Sequence, residues 1–215
     1  MPRSYNQHCT VAKSLDLVGE RWTLLIVREL LTGPKRYKDL MANLPGIGTN
    51  LLANRLKDMA EERLVESAPD EGGYALTPDG EALEPVVLAL IRWGLPRLGK
   101  KFRDDLWRAA WTPLTFKALF DAERAKGVQA SVVFEVDGET FFVRVDDGHL
   151  YTGPGRPSAA GVDAAISCSA NDFLKLTAGV SGIEKFLRSR GVKSDRDALR
   201  LAELFGCFPL PEKNG

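Results

Sequence analysis

The sequence predicts an α+β chain in two parts, and three observations predict it. Apolar residues recur at helical spacing up to Arg63. Two short β-prone runs then flank a Pro-Asp-Glu-Gly-Gly turn at 69–73. Beyond Lys100-Lys101 strand-like runs cluster between helices instead of alternating with them, which is the α+β signature. The boundaries read as 1–100 and 108–212.

In the first part, Leu15, Val18, Trp22, Leu25, Ile26 and Leu30 follow a helical period broken at Gly19, so two helices meet at Gly19-Glu20. Gly33-Pro34 ends the second, because proline disfavours a helical residue before it. A short helix over 37–43 follows, and 44–48 is a turn. Thr49 then reads as the N-cap of a fourth helix over 49–63. The spacing of the last two is that of a helix-turn-helix. Runs 64–67 and 74–77 form a hairpin, the wing, and Thr77-Pro78 opens a long apolar helix over about 81–98. Its Leu83, Val86, Val87, Leu90, Ile91 and Trp93 exceed what one small domain covers, so a dimer interface is the simplest use for them. The second part reads as a helix at 115–125, strands at 131–136 and 140–145 joined by Asp137-Gly138, strands at 149–152 and 164–169, and helices at 171–178, 183–189 and 195–204.

Across 215 residues the chain is 44% hydrophobic and 27% charged with a formal net charge of zero, so affinity for nucleic acid must come from a local patch. Such a patch has its residues before Ala60, where Arg3, Lys13, Arg21, Arg28, Lys35, Arg36, Lys38, Arg55 and Lys57 outnumber the acids. Cys9, Cys168 and Cys207 are too widely spaced for a zinc site or a disulfide framework, which predicts reduced thiols and no metal. No charged leader with an apolar run follows Met1, and no segment approaches the ~20 apolar residues of a membrane span. A cytoplasmic protein with no membrane partner is expected.

On the fourth helix Leu52, Leu56 and Met59 make one apolar stripe, while Asn50, Ala53, Asn54 and Lys57 share the other side, with Thr49 and Arg55 at its start and flank. Asparagine pairs bidentately with adenine, arginine with guanine, and alanine meets a thymine methyl. Lys35, Arg36, Tyr37 and Lys38 stand at the start of the third helix, where phosphate contacts are expected. A solvated surface helix shows the same binary pattern, and on the fourth helix alone both readings fit. The order helix, turn, helix, hairpin, long apolar helix favours double-stranded DNA as the partner.

The runs Leu17-Val-Gly-Glu-Arg-Trp-Thr-Leu-Leu-Ile-Val-Arg-Glu-Leu, Lys35-Arg-Tyr-Lys-Asp-Leu, Leu44-Pro-Gly-Ile, Leu56-Lys-Asp-Met and Tyr74-Ala-Leu-Thr-Pro-Asp-Gly strongly resemble the HxlR family of winged helix-turn-helix regulators. The resemblance implies a homodimer joined through its terminal helices, from Cys9 to Leu17 and from Glu81 to Leu98. It also implies an inverted repeat read in successive major grooves roughly 34–36 Å apart. Thr10 stands where the family has proline, Arg63 where it has glycine, and the wing is short and acidic at Asp70 and Glu71. Family members that sense oxidants use a cysteine at the position of Cys9; a small buried residue at the dimer interface is the plainer reading of it.

From about Trp111 to Pro209 the chain resembles, more loosely, a sterol-carrier-protein type 2-like domain. The residues that carry this are Asp163-Ala-Ala-Ile-Ser-Cys-Ser-Ala-Asn-Asp-Phe-Leu-Lys-Leu-Thr-Ala-Gly, Phe186 and Gly191-Val-Lys-Ser-Asp-Arg-Asp-Ala-Leu-Arg-Leu. That likeness implies a layered α/β fold around an apolar tunnel. Phe134, Phe141, Val143, Phe173 and Leu176 would then wall a pocket for a small apolar ligand, or else be ordinary core. Nothing suggests an enzyme or a cofactor: there is no Gly-rich phosphate loop, and only His8 and His149 titrate near neutrality. The expected function is a homodimeric transcriptional regulator, a repressor, answering to an apolar ligand or a redox signal. The alternative is a lipid carrier whose winged helix only dimerises.

Overall fold

In the computed structural model residues 4–68, 72–98, 105–157, 161–177, 182–188, 193–194 and 198–210 are described. The chain divides into two compact units, 1–87 and 88–215.

The first unit holds α1 (Thr10–Val18), α2 (Thr23–Leu30), α3 (Tyr37–Asn43), α4 (Thr49–Glu61), the hairpin β1 (Val65–Ala68) and β2 (Gly73–Leu76), and α5 (Pro78–Glu81). Ile26, Val27, Leu40, Leu44, Leu52, Leu56 and Met59 are buried together as its core. The hairpin is antiparallel in the register Val65↔Leu76. It is tied to the helices by an isolated bridge in which the Lys35 N–H donates to the Tyr74 carbonyl at 3.0 Å and the reverse bond closes at 2.9 Å.

Two helix ends differ from expectation for a backbone reason. Thr49 is the first helical residue of α4 and not its cap; Gly48 holds the extended cap position, and its carbonyl already accepts from the Leu52 N–H. The helix stops at Glu61, not at 63. Arg63 takes φ 57, its N–H donates to Ala60, and the Leu64 N–H donates to Met59. That pair of bonds is a Schellman close, with buried Leu64 and Met59 at the positions its apolar contact uses.

The long helix expected over 81–98 is three pieces: α5, α6 (Glu84–Gly94) and a 3-10 turn, Leu95–Arg97. Pro85 explains the first break, since inside a continuous helix it would lack a donor and its ring would clash with the Glu81 carbonyl. At the α5 start the expected cap is present, the Thr77 hydroxyl accepting from the Gly80 N–H at 3.2 Å.

In the second unit α7 (Thr112–Leu119) ends earlier than expected. Phe120 is extended, and Asp121 begins a separate turn by accepting from the N–H groups of Glu123 and Arg124. Strands β3 (Gln129–Val136), β4 (Glu139–Asp146), β5 (His149–Pro154), β6 (Ala164–Cys168) and β7 (Lys193–Ser194) form one sheet in the order β5-β4-β3-β6-β7. β3 and β6 run parallel, and the other neighbours are antiparallel. Asp137-Gly138 and Asp147-Gly148 turn the two hairpins with positive φ at both residues, the requirement of a type I′ turn. Helices α8 (Ala170–Thr177), α9 (Ile183–Leu187) and α10 (Ala198–Gly206) complete it; the expected start of the last, Asp195, lies outside the described residues.

Candidate nucleic-acid interface

α4 turns Leu52, Leu56 and Met59 inward and leaves Thr49, Asn50, Ala53, Asn54 and Lys57 exposed. The period dictates this split, because residues three and four apart share a face. Among the described residues neither Asn50 nor Asn54 spends its amide on a side-chain hydrogen bond. Lys57 lies at the surface 3.7 Å from Glu61. The Tyr37 hydroxyl, half-buried at the start of α3, donates to the Thr49 carbonyl at 2.7 Å and fixes where α4 begins relative to α3.

Arg55 departs from the expected DNA-facing set. Its side chain is only 16% exposed and pairs with Glu20 at 3.3 Å and Asp58 at 3.4 Å. The 100° step from Asn54 carries it to the flank that meets the α1–α2 joint, and buried Nε has no acceptor among the described residues. Lys35 is likewise engaged: its Nζ donates to the Gly33 and Thr32 carbonyls at 3.0 and 3.4 Å, closing the end of α2. Arg36 and Lys38 remain exposed at the start of α3, and Arg21 lies exposed over the Trp22 ring at 5.1 Å. The expected acidic wing tip, Asp70 and Glu71, lies outside the described residues.

Sequence reasoning missed Glu29. It is 1% exposed, pairs with Arg28 at 2.6 Å and accepts from the Asn43 amide at 2.9 Å, so it locks α2 to α3. The signal was a carboxylate at i+3 from Ile26, inside the apolar stripe of α2.

Cys9 is exposed in this chain, at the extended residue before α1. The arm ahead of it is held by Asp16, whose carboxyl lies below its usual range chiefly because the Tyr5 N–H donates to it. Cys168 and Cys207 are buried as expected, and burial pushes the Cys168 thiol up to about 12.

Residues 17–101 match the HxlR-like helix-turn-helix family. The regulator YvaP of Bacillus subtilis, described as uncharacterized, is 32% identical over 97 residues, 43% of this chain and 90% of YvaP. This chain belongs to the HxlR-like helix-turn-helix family. YodB, another HTH-type transcriptional regulator of Bacillus subtilis, is 35% identical over 94 residues, 84% of its length. An uncharacterized HTH-type regulator of Mycobacterium tuberculosis is 41% identical over 96 residues, and the match spans 60% of that relative's length. The quinone-bound crystal structure of YodB aligns with 39% of this chain and 93% of its own at 34% identity and a TM-score of 0.36. In this HxlR-like chain the matched stretch holds α2 to α6 whole and only Leu17 and Val18 of α1.

The five residues expected to wall a ligand pocket are core. Phe134, Phe141 and Val143 are fully buried, and Phe173 and Leu176 nearly so. Phe134 stacks on Phe141 at 5.1 Å, and Phe173 meets both edge-on at 5.5 Å. A wall facing a water-sized cavity would keep accessible surface, and the first three keep none. His149 is exposed at the first position of β5. Among the described residues no group of three or more His, Cys, Asp or Glu could hold a metal, and no helix is long and apolar enough to cross a membrane.

Proposed function

We propose that this chain is a sequence-specific double-stranded DNA-binding transcriptional regulator, a cytoplasmic repressor that binds an inverted repeat as a homodimer. The observation that carries it is the outer face of α4, where exposed Thr49, Asn50, Ala53, Asn54 and Lys57 stand on a helix anchored by its opposite stripe. Membership of a family of helix-turn-helix regulators supports the same reading. Arg36 and Lys38 supply phosphate contacts in this proposal, and Arg21 adds a third cation. Dimerisation uses the apolar side chains left exposed on α1 (Val11, Leu15, Leu17) and on α6 and its end (Val86, Leu90, Trp93, Leu98). Trp93 stays 63% exposed with the Arg97 guanidinium 3.9 Å over its ring, and together with Val86, Leu90 and Leu98 it supports the reading of an interaction surface.

The test is operator binding by the full chain carrying Asn50→Ala and Asn54→Ala. Specific binding is expected to fall to the non-specific level while sedimentation still reports a dimer. Unchanged specific binding would sink the proposal and leave the lipid-carrier reading.

Two signals are proposed to reach this regulator. The exposed Cys9 thiol is the redox candidate, and oxidant-dependent DNA release that persists in Cys9→Ser removes it. The sheet unit, read as sterol-carrier-like, is the candidate for an apolar ligand. Such a ligand must displace the ring packing of Phe134, Phe141 and Phe173, so its binding will be slow and will need the ligand to favour an opened state. Mass spectrometry of what copurifies with the full chain tests it.

A further inference from the structure

α4 carries two asparagines but no arginine on its outward face, and that imbalance has a consequence for what it can read. Arginine is the commonest reader of guanine, through O6 and N7, whereas the asparagine amide matches adenine N6 and N7. The one arginine of α4, Arg55, is withdrawn: it is 16% exposed and held by Glu20 and Asp58 on the flank. Lys57, the other cation of the helix, stands two turns from its start and 3.7 Å from Glu61. The exposed first two turns therefore offer two amides, the Thr49 hydroxyl, the Ala53 methyl and Leu51, which is 42% exposed. Both apolar groups suit the thymine methyl, the only apolar feature on a major-groove base edge.

Spacing makes this specific. Asn50 and Asn54 are four residues apart, about 6 Å along the helix at 1.5 Å per residue. Base pairs stack about 3.4 Å apart. Two amides about 6 Å apart address base pairs one or two steps apart, with Ala53 beside the second. Resting on the DNA-binding reading above, we infer that each half-site is A·T-rich where α4 enters. Asn50 and Asn54 each pair with an adenine one or two steps from the other, and Ala53 contacts a thymine methyl. Arg55 plays no part in base choice.

The experiment is selection of duplexes from a randomised pool by the full chain, followed by single 7-deazaadenine substitutions, which remove N7 and keep the Watson–Crick pair. Selection should enrich A·T at two positions one or two steps apart in each half-site. Replacing either adenine should weaken binding of the parent protein about tenfold or more, in line with the value of a bidentate pair. The same replacement should have no further effect in whichever of Asn50→Ala or Asn54→Ala has lost that contact, and Arg55→Ala should select the same sequences as the parent. G·C at these positions, with a preference that Arg55→Ala abolishes, overturns the inference while leaving the regulator reading intact. Equal sensitivity to 7-deazaadenine in the parent and both asparagine variants overturns it too. Enrichment of no sequence at all overturns the regulator reading and this inference with it.

Discussion

Arg63 occupies a left-handed position, φ 57, where the Schellman close of α4 is best served by glycine. A side chain there costs about 1 kcal/mol through crowding of Cβ against the carbonyl. Arg63→Gly is therefore expected to raise stability by about 1 kcal/mol, read as a higher urea midpoint with an unchanged slope. Glu29 presents the opposite case. Glu29→Ala deletes the buried carboxylate that both Arg28 and the Asn43 amide use as acceptor, and because Arg28 is 21% exposed and regains water, the expected loss is about 2 kcal/mol. The same denaturation measurement checks it, and a loss under 1 kcal/mol would show that solvent replaces the carboxylate. Thiols add a pH prediction. Cys168 is held neutral first by burial and then by Asp172 and Asp137, with its value raised from 9.0 to about 12. Folding thus favours the protonated thiol. Its contribution is complete below about pH 9 and is lost as pH rises from there towards 12. Cys168→Ala should flatten that alkaline decline relative to the parent. At pH 8 a thiol reagent should label Cys9 at once, and Cys168 and Cys207 only on unfolding.

At the scale of elements, the wing is positioned by close approach of two backbones. A Cβ on Gly73 would lie 2.3 Å from the Lys35 carbonyl oxygen and 2.6 Å from its carbon, so Gly73→Ala must push β2 off the segment that leads into α3. Overpacking of this kind costs about 2 kcal/mol. Because the same segment carries Arg36 and Lys38, the variant should also bind DNA more weakly at every sequence alike, measured as an unchanged preference on a lower overall affinity. This shows where the sequence was legible and where it was not. The stripes of α2 and α4 and the hairpin at Asp137-Gly138 follow from local periods and turn chemistry, and appear where those placed them. What was misread has two sources, partners far along the chain and local breakers inside an unbroken pattern. Arg55 looks outward on a helical wheel until Glu20, thirty-five positions earlier, draws it to the flank. The apolar run after Pro78 looked like one helix because its pattern runs on through Pro85, whose missing donor divides it. Phe134 and Phe141 fitted a pocket wall or a core equally well in sequence, and only their stacking decides between the two.

For the whole molecule, the proposed dimer turns two modest reading heads into one selective one. A single half-site engages few base edges, but once one α4 is seated the partner's meets its half-site at an effective concentration set by the dimer. Avidity of this origin is worth about 10²- to 10⁴-fold without any new contact. Leu90 is exposed on α6 and touches no base in this arrangement, so it separates assembly from reading. Leu90→Glu is expected to leave the circular dichroism of the full chain unchanged, to shift sedimentation to the monomer, and to lower affinity for an inverted repeat by at least about a hundredfold. Binding to an isolated half-site should be nearly unaffected, and the dependence on half-site spacing should vanish, since a monomer does not sense it. If Leu90→Glu is monomeric yet keeps both the parent affinity and the parent spacing preference, then each chain reads its site alone, and the apolar faces of α1 and α6 serve some other contact. Monomer and half-site affinities also fix the coupling that any effector must oppose. A signal from Cys9 or from the sheet unit needs only to misplace one α4 relative to the other to forfeit the avidity factor, which is a smaller demand than unfolding either reading head.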